Sequence, residues 1–165
     1  MTELSLRAMR DDEYEAFHSK LVTEYAAVNV EAGNWLPEES VELSRKELEK
    51  LLPQGRDTPR VLLRAAENSD GECVGYLWIA LDRPGSSKPA AWIYDIEVAQ
   101  SHRGKGYGRA LLRAAEMETL NNGVPTLGLN VFGKNYVARQ LYESSGYSIT
   151  QLQMSKQLGA AEDSQ

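Results

Sequence analysis

The chain has 165 residues, enough for one substantial hydrophobic core, and no shift in composition marks a second domain. Its net charge of −6 argues against nucleic acids and anionic membranes as partners, because both bind preferentially to basic surfaces. The single cysteine, Cys73, excludes an internal disulfide, and no apolar run approaches the roughly 20 residues that span a bilayer. Since the first residues lack the basic and apolar segments of a signal peptide, we expect a cytoplasmic protein.

Hydrophobic spacing in the first third of the chain predicts one strand followed by two helices. Residues 4–9 alternate between apolar and polar, as in a strand, and helical spacing begins at Asp11 and ends at Gly33. Pro37 opens a second helix, which LPQG at 52–55 ends. The predicted buried stripe of the first helix consists of Phe17, Leu21, Tyr25 and Val28.

The remaining elements follow in a strand-rich order. Runs at 60–67 and 72–81 flank the turn NSDG and predict an antiparallel hairpin, and AWIYDIEV at 91–98 predicts a further strand. A helix after a glycine-rich loop and a strand at 126–131 complete a βαβ crossover. Asn135 can cap a last helix that Gly146 ends, and 147–154 is predicted as a terminal strand. We therefore expect one domain over residues 1–158 and a flexible tail at 159–165.

The glycine-rich loop RGKGYG, Arg103 to Gly108, has the parts of an anion site. It follows a strand, precedes a helix, and carries positive charges next to glycines that permit close approach. Two known phosphate motifs fail on spacing, because a P-loop needs GxxxxGK[ST] and a dinucleotide fingerprint needs glycine where Arg109 stands. Neither ATP nor NAD is therefore favoured.

Two motifs in this half of the chain resemble those of the GNAT superfamily of acetyltransferases. Arg103, Gly106 and Gly108 form R-x-x-G-x-G, and NYVARQLYESSGY at 135–147 matches the helix pattern N-x-x-A-x-x-L-Y-x-x-x-G-F/Y. The order β-α-α-β-β-β-α-β-α-β also matches nearly the whole chain. The resemblance implies an α/β (α+β) fold with a mixed, mostly antiparallel sheet of six to seven strands flanked by helices.

By that resemblance the donor is acetyl-CoA, and no metal is implied. Backbone groups of Ile96, Glu97 and Val98 would line its pantetheine arm, which Asn130, Asn135 and Tyr142 would approach from the other side. Asn135 has a second interpretation as a simple helix cap. The pyrophosphate would be held by Arg103, Gly104, Lys105, Gly106, Tyr107, Gly108 and Arg109.

Acetyl transfer to an amine needs an oxyanion donor, a general acid and a base. The resemblance suggests the Val98 amide as oxyanion donor and Tyr142 as acid for the departing thiolate. Glu97, Asp95 and the hydroxyl of Tyr94 are candidate bases. Strand alternation places Tyr94 on the opposite face from Asp95 and Glu97, unless a bulge intervenes.

The later strand offers no base. Some members of the superfamily place a glutamate there, and the corresponding residue in this chain is Asn130, whose amide does not accept a proton usefully. The base is therefore expected on the earlier strand, or through a water chain.

The acceptor implied by the resemblance is a primary amine on a small molecule or a peptide. The acidic region 24–49, which varies with the acceptor in this superfamily, suits a cationic amine, although a solvated helix face is the preferred explanation of its charges. Two alternatives stay open: transfer to protein N-termini or lysines, and a non-catalytic coenzyme A-binding or sensor domain. The resemblance also leaves a homodimer open.

Overall fold

The computed structural model describes residues 2–159, and the chain divides into two compact units, residues 2–130 and 131–159. The expected single domain over 1–158 stays a prediction, and most of the expected tail, residues 160–165, lies outside the described part. The bounds of the first unit's elements are β1 Ser5–Ala8, α1 Asp11–Glu31, α2 Pro37–Leu51, β2 Val61–Glu67, β3 Cys73–Ala80, β4 Ala91–Val98, α3 Tyr107–Asn121 and β5 Leu127–Leu129. The second unit contains α4, Tyr136–Ser144. No helix in the described part is long and apolar enough to cross a bilayer.

The five strands form one sheet in the order β1-β2-β3-β4-β5. The first four pair antiparallel, and β5 lies parallel to β4 after the α3 crossover, which confirms the predicted mixed, mostly antiparallel fold class. The NSDG turn is confirmed as well, because Asn68 Oδ1 accepts from the amides of Asp70 and Glu72, and Gly71 has φ +78°.

The strand predicted at 147–154 is not formed, so the described sheet has five strands rather than six to seven. Its apolar residues change parity: Tyr147 and Ile149 fall on one face of an extended chain, whereas Leu152 and Met154 fall on the other. A strand here cannot bury both pairs on one face, and Ile149 and Met154 are 56% and 89% exposed. Local pattern alone therefore does not stabilise a strand in this segment.

Helices pack on both faces of the sheet. Phe17 of α1 and Leu48 of α2 pack against Leu63 and Trp78, whereas α3 contacts β3 and β4 from the other side through its buried Leu111 and neighbours. These two layers place β4 in the interior of the first unit, with its carboxyl end leading into the glycine-rich loop.

The predicted α1 stripe is half wrong. Phe17 is buried, but Tyr25 and Val28 are 43% and 42% exposed. The two helices meet through small side chains instead: Ser44 of α2 is fully buried and donates to Val22 O at 2.7 Å, beside the buried Ala26. Small residues allow the helices to approach closely, so the buried face does not follow the largest apolar side chains.

An ion-pair network anchors the start of α1. Arg7 donates to both carboxylate oxygens of Glu13 at 2.7 Å, and the Arg10 amide donates to Glu13 at 2.8 Å. Hydrogen bonding from Arg7 holds the pKa of Glu13 at about 2. The ionised carboxylate therefore stabilises the fold fully at pH values above 4.5, the ordinary pKa of the group. This stabilisation is lost as the pH falls towards 2.

Glu13→Gln should lower the free energy of unfolding at pH 7 by about 1 to 3 kcal/mol, because it removes the more buried of the two carboxylates that pair with Arg7 and leaves Glu67. The difference from wild type should shrink as pH falls towards 2.5, where the wild-type carboxylate also begins to lose its charge. Asp12→Asn is the control, since the Asp12 side chain is 81% exposed and should matter by less than about 0.5 kcal/mol. Urea unfolding at both pH values measures these differences, and a pH-independent loss in Glu13→Gln would contradict the ion-pair account.

Candidate functional site

The carboxyl half of β4 has one unpaired edge within residues 2–130. The β4–β5 ladder covers only Ala91 to Ile93 against Leu127 to Leu129, whereas β3 pairs with β4 as far as Val98. From Tyr94 onward, β4 and β5 are no longer paired. Backbone groups on the β5 side of residues 94–98 are thus positioned to hydrogen-bond an extended ligand, as an added strand would.

A bulge in β4 brings the three candidate bases onto one face. Asp95 pairs with Trp78 and Ile93 pairs with Ile79, so Tyr94 is the extra residue between them. The Tyr94 ring stacks on Trp78 at 4.7 Å, which places it on the face that α1 and α2 cover. Glu97 reaches the same face, because it contacts Lys20 of α1. The bulge thus removes the separation that strict alternation predicts.

The two carboxylates on this face differ in environment. Glu97 contacts Lys20 and lies 3.6 Å from Arg103, so two cations stabilise its charge. Burial, reinforced by the negative charge of Glu97, raises the pKa of Asp95 to about 7, although Lys20 acts in the opposite direction. Asp95 Oδ2 is buried without a hydrogen-bond partner in the described part of the chain. Asp95 is therefore poised to exchange a proton near neutral pH.

The phenol next to Asp95 is a poor base. Burial raises the pKa of Tyr94, so its hydroxyl holds its proton more tightly than an ordinary tyrosine. Asp95, by contrast, has a pKa raised into the range that a base needs at neutral pH.

A pocket of about 340 Å³ opens beside Glu97 on the α1 face. Phe17 and Tyr76 supply aromatic walls, and Lys20 and Cys73 also line it. Burial, with a hydrogen bond to Cys73, raises the pKa of Tyr76 to about 12, so this phenol stays neutral. The pocket thus combines apolar surface with one carboxylate and one ammonium group.

The glycine-rich loop turns at two left-handed glycines, Gly104 with φ +74° and Gly106 with φ +86°. Gly106 is the N-cap of α3 and provides no side chain to cap it, so an anion can meet the first helical amides. Arg103 Nε donates to Val98 O at 3.0 Å, and Lys105 Nζ donates to Ser101 O at 3.0 Å. The loop therefore holds positive charge at the end of β4.

Thr2 hydrogen-bonds to this loop. Its hydroxyl donates to Lys105 O at 2.9 Å, and a Cβ added to Gly106 would approach Thr2 Oγ1 to 2.8 Å. Both the left-handed φ and this close approach exclude a side chain at Gly106.

The remaining predicted site residues lie at the end of the first unit and in the second. Asn130, exposed, follows β5 as the last residue of the first unit. Asn135 is confirmed as the cap of α4, because its side chain accepts from the Ala138 amide at 3.2 Å. Tyr142 lies in α4 with its ring 5.9 Å from that of Tyr147. The coenzyme contacts of these residues stay predictions.

Sequence reasoning missed two residues of this region, Lys20 and Thr2. Lys20 lies 77 positions from its partner Glu97, and Thr2 lies 103 positions from Lys105. No local pattern marks such pairs. Trp78 lies on the strand next to the one that carries the candidate bases. In the sequence alone it looks like an ordinary core residue.

Comparisons with known proteins agree over nearly the whole chain. The family model described as "Acetyltransferase (GNAT) family" matches residues 14–147. An uncharacterized N-acetyltransferase of Bacillus subtilis (strain 168), YycN, is 36% identical over 155 residues, covering 94% of this chain and 99% of its own length. Its crystal structure has a TM-score of 0.85 at 35% identity and covers 96% of this chain and 100% of that one.

A more distant relative is a mycothiol acetyltransferase of Brachybacterium faecium, 33% identical over 150 residues. The alignment covers 88% of this chain but 43% of that protein. The family match spans most of the chain, and the sheet, the open edge of β4 and the R-x-x-G-x-G loop agree with it. The chain therefore belongs to the GNAT family of acetyltransferases.

Proposed function

We propose that this protein transfers the acetyl group of acetyl-CoA to a primary amine by direct attack within a ternary complex. The observation that carries the proposal is the open edge of β4 at residues 94–98, which runs into the 103–109 loop and has Asp95 beside it. One extended molecule with a pyrophosphate at one end and a reactive carbonyl at the other fits that arrangement.

The donor's pantetheine arm would hydrogen-bond the backbone of Ile96, Glu97 and Val98. Its pyrophosphate would lie against the amides at the start of α3, where the helix dipole and the charges of Arg103, Lys105 and Arg109 favour negative groups. By the family resemblance, Asn130 and Asn135 are proposed as further contacts of the arm.

Asp95 is the proposed general base. It would take a proton from the acceptor ammonium, directly or through water, so that the neutral nitrogen attacks the thioester carbonyl carbon. A new C–N bond forms and the carbonyl oxygen becomes an oxyanion that the Val98 amide stabilises. The nitrogen then loses its second proton to solvent as the C–S bond breaks. Tyr142 would give its proton to the departing thiolate.

Glu97 is better suited to binding than to proton transfer. Lys20 and Arg103 compensate its charge, and it lines the pocket on the α1 face. A cationic amine would be attracted there by Glu97, with Glu24 contributing further negative charge close to Lys20. The mycothiol acetyltransferase relative, by its name, acts on a small molecule, and a small-molecule amine is the acceptor that we propose here.

Tyr142→Phe tests the acid. Removing the phenolic hydroxyl should lower kcat on the order of 10- to 100-fold, because the thiolate loses its proton donor, while acetyl-CoA affinity changes little. Isothermal titration measures the affinity, and thiol release measures the rate. Tyr147→Phe is the control, as it removes the same hydroxyl from the neighbouring ring. A wild-type rate in Tyr142→Phe would remove Tyr142 from the mechanism.

The transfer itself is tested by release of free coenzyme A thiol on addition of an amine. A primary amine should support release, and its dimethylated tertiary form should not, because a tertiary nitrogen cannot form a neutral amide. Equal thiol release with both amines would indicate hydrolysis rather than transfer.

A further inference from the structure

Two buried polar atoms on neighbouring strands have no hydrogen-bond partner among residues 2–159: the indole Nε1 of Trp78 and the carboxylate Oδ2 of Asp95. Trp78 is only 3% exposed and lies in the core beneath α1 and α2. One atom is a donor and the other is an acceptor. Buried polar groups in proteins are almost always hydrogen-bonded, so we expect each of these atoms to have a hydrogen-bond partner.

The register of the sheet places these two residues side by side. Trp78 and Asp95 are directly paired across β3 and β4, so their side chains leave the same face about 5 Å apart. The indole leans towards β4, because it stacks at 4.7 Å on Tyr94, the residue before Asp95. The orphan donor and the orphan acceptor therefore belong to one cross-strand pair, on the same face of the sheet.

A molecule that pairs both atoms must accept from the indole N–H and donate to the carboxylate. Water does both, and buried water is commonly held by just such groups. Aromatic rings and packed strands surround Trp78, so a group that bridges the two atoms has to be as small as water.

We propose that Trp78 Nε1 and Asp95 Oδ2 hold one water molecule between them, and that Trp78 is thereby a positioning residue for the carboxylate. The catalytic part of this statement rests on the proposed role of Asp95 as base, whereas the water site does not. The indole N–H fixes the orientation of the water, and the water's O–H donates to Oδ2 and stabilises the ionised carboxylate.

The other groups around Asp95 come from three elements, α1, β4 and β3. Lys20 and Glu24 face it from α1, and Glu97 lies two residues along β4. Tyr94 precedes it on β4, and Tyr76 of β3 is the cross-strand partner of Glu97. A change at Trp78 removes none of these groups, and any added hydration beside a smaller ring would lower the pKa of Asp95. A rise in that pKa therefore reports loss of the water bridge.

The test is the titration of the Asp95 carboxyl carbon, followed by NMR in the full chain. Trp78→Phe keeps an aromatic ring against Tyr94 and removes the N–H, so the pKa of Asp95 should rise by about one pH unit. Trp92→Phe is the matched control: Trp92 lies on β4 under the Arg83 guanidinium, and its change should leave the titration of Asp95 unchanged. An unshifted Asp95 in folded Trp78→Phe would overturn the proposal.

A second measurement needs no variant. In the wild-type protein, the Trp78 indole N–H should show a cross-peak to a bound water, and its shift should titrate with the Asp95 midpoint. An indole N–H without a water contact would overturn the bridge even if Trp78→Phe fails to fold. The role of Asp95 as base is tested separately. Wild-type turnover in Asp95→Asn would disprove that role, but it would not contradict the water site of the wild-type protein.

Discussion

Asp95→Asn should lower kcat/KM by about 100-fold or more while acetyl-CoA binds as in the wild type. Asparagine keeps the shape of the side chain but cannot accept the amine proton. In the wild type, Asp95 is protonated below its pKa of about 7, so activity should rise with pH through that value. The variant should lack this limb of the pH–rate profile, and steady-state kinetics between pH 5.5 and 8.5 would reveal it.

The same change should stabilise the fold at alkaline pH. Because burial raises the folded-state pKa of Asp95 from 3.8 to about 7, ionisation destabilises the native state as pH rises through this range. The stability that Asp95 retains at pH 4 is therefore lost by pH 8, by at most about 4 kcal/mol. Asp95→Asn should escape this loss, so its free energy of unfolding should exceed that of the wild type more at pH 8 than at pH 4.

A matched control for this charge change is Asp70→Asn, in the exposed NSDG turn. It should alter neither the pH–rate profile nor the pH dependence of stability, because its carboxylate is solvated. Full activity in Asp95→Asn, with a wild-type pH profile, would contradict the assignment and shift the base to Glu97 or to a water chain.

Gly106→Glu should weaken acetyl-CoA binding by about 100-fold or more. A side chain there must adopt φ +86° and approach Thr2 Oγ1 to 2.8 Å, which distorts the loop. The added carboxylate would also repel the pyrophosphate at the start of α3. Isothermal titration with acetyl-CoA measures the loss.

Gly123→Glu separates loop chemistry from backbone strain. Gly123 follows the other end of α3 at φ +76°, with no atom within 4 Å of an added Cβ. Gly123→Glu introduces the same charge and a similar backbone strain, but at the end of the helix that is far from the loop. Acetyl-CoA affinity should therefore stay near the wild-type value. If both glutamates weaken binding equally, general destabilisation explains the loss and the loop assignment fails.

Elements whose signals are local could be predicted from the sequence. The strand at 91–98 matches β4 residue for residue, and α3 begins at Tyr107, at the end of the glycine-rich loop that was predicted to precede a helix. Turn and cap residues such as Asn68 and Asn135 act on backbone only a few positions away, so their chemistry is readable in a short window.

Features set by pairing over long distances could not be predicted. The bulge at Tyr94 depends on the register with β3, and it is the bulge that brings Tyr94 onto the face of Asp95 and Glu97. The exposure of Tyr25 also depends on long-range packing. Helix α1 packs on α2 through small residues such as Ser44, and hydrophobic periodicity does not detect such contacts. The pKa of Asp95 likewise follows from burial that only the folded sheet creates.

The measurement that tests the central claim most directly is product analysis after incubation with acetyl-CoA and a panel of polyamines, aminoglycosides, amino acids and basic peptides. Free thiol and product mass are followed together in the wild type and in Asp95→Asn. We expect at least one primary amine to be N-acetylated in step with thiol release, at a rate that Asp95→Asn reduces. Tight binding of acetyl-CoA with no acetylated product from any class of amine would contradict the account and favour a non-catalytic coenzyme A-binding domain.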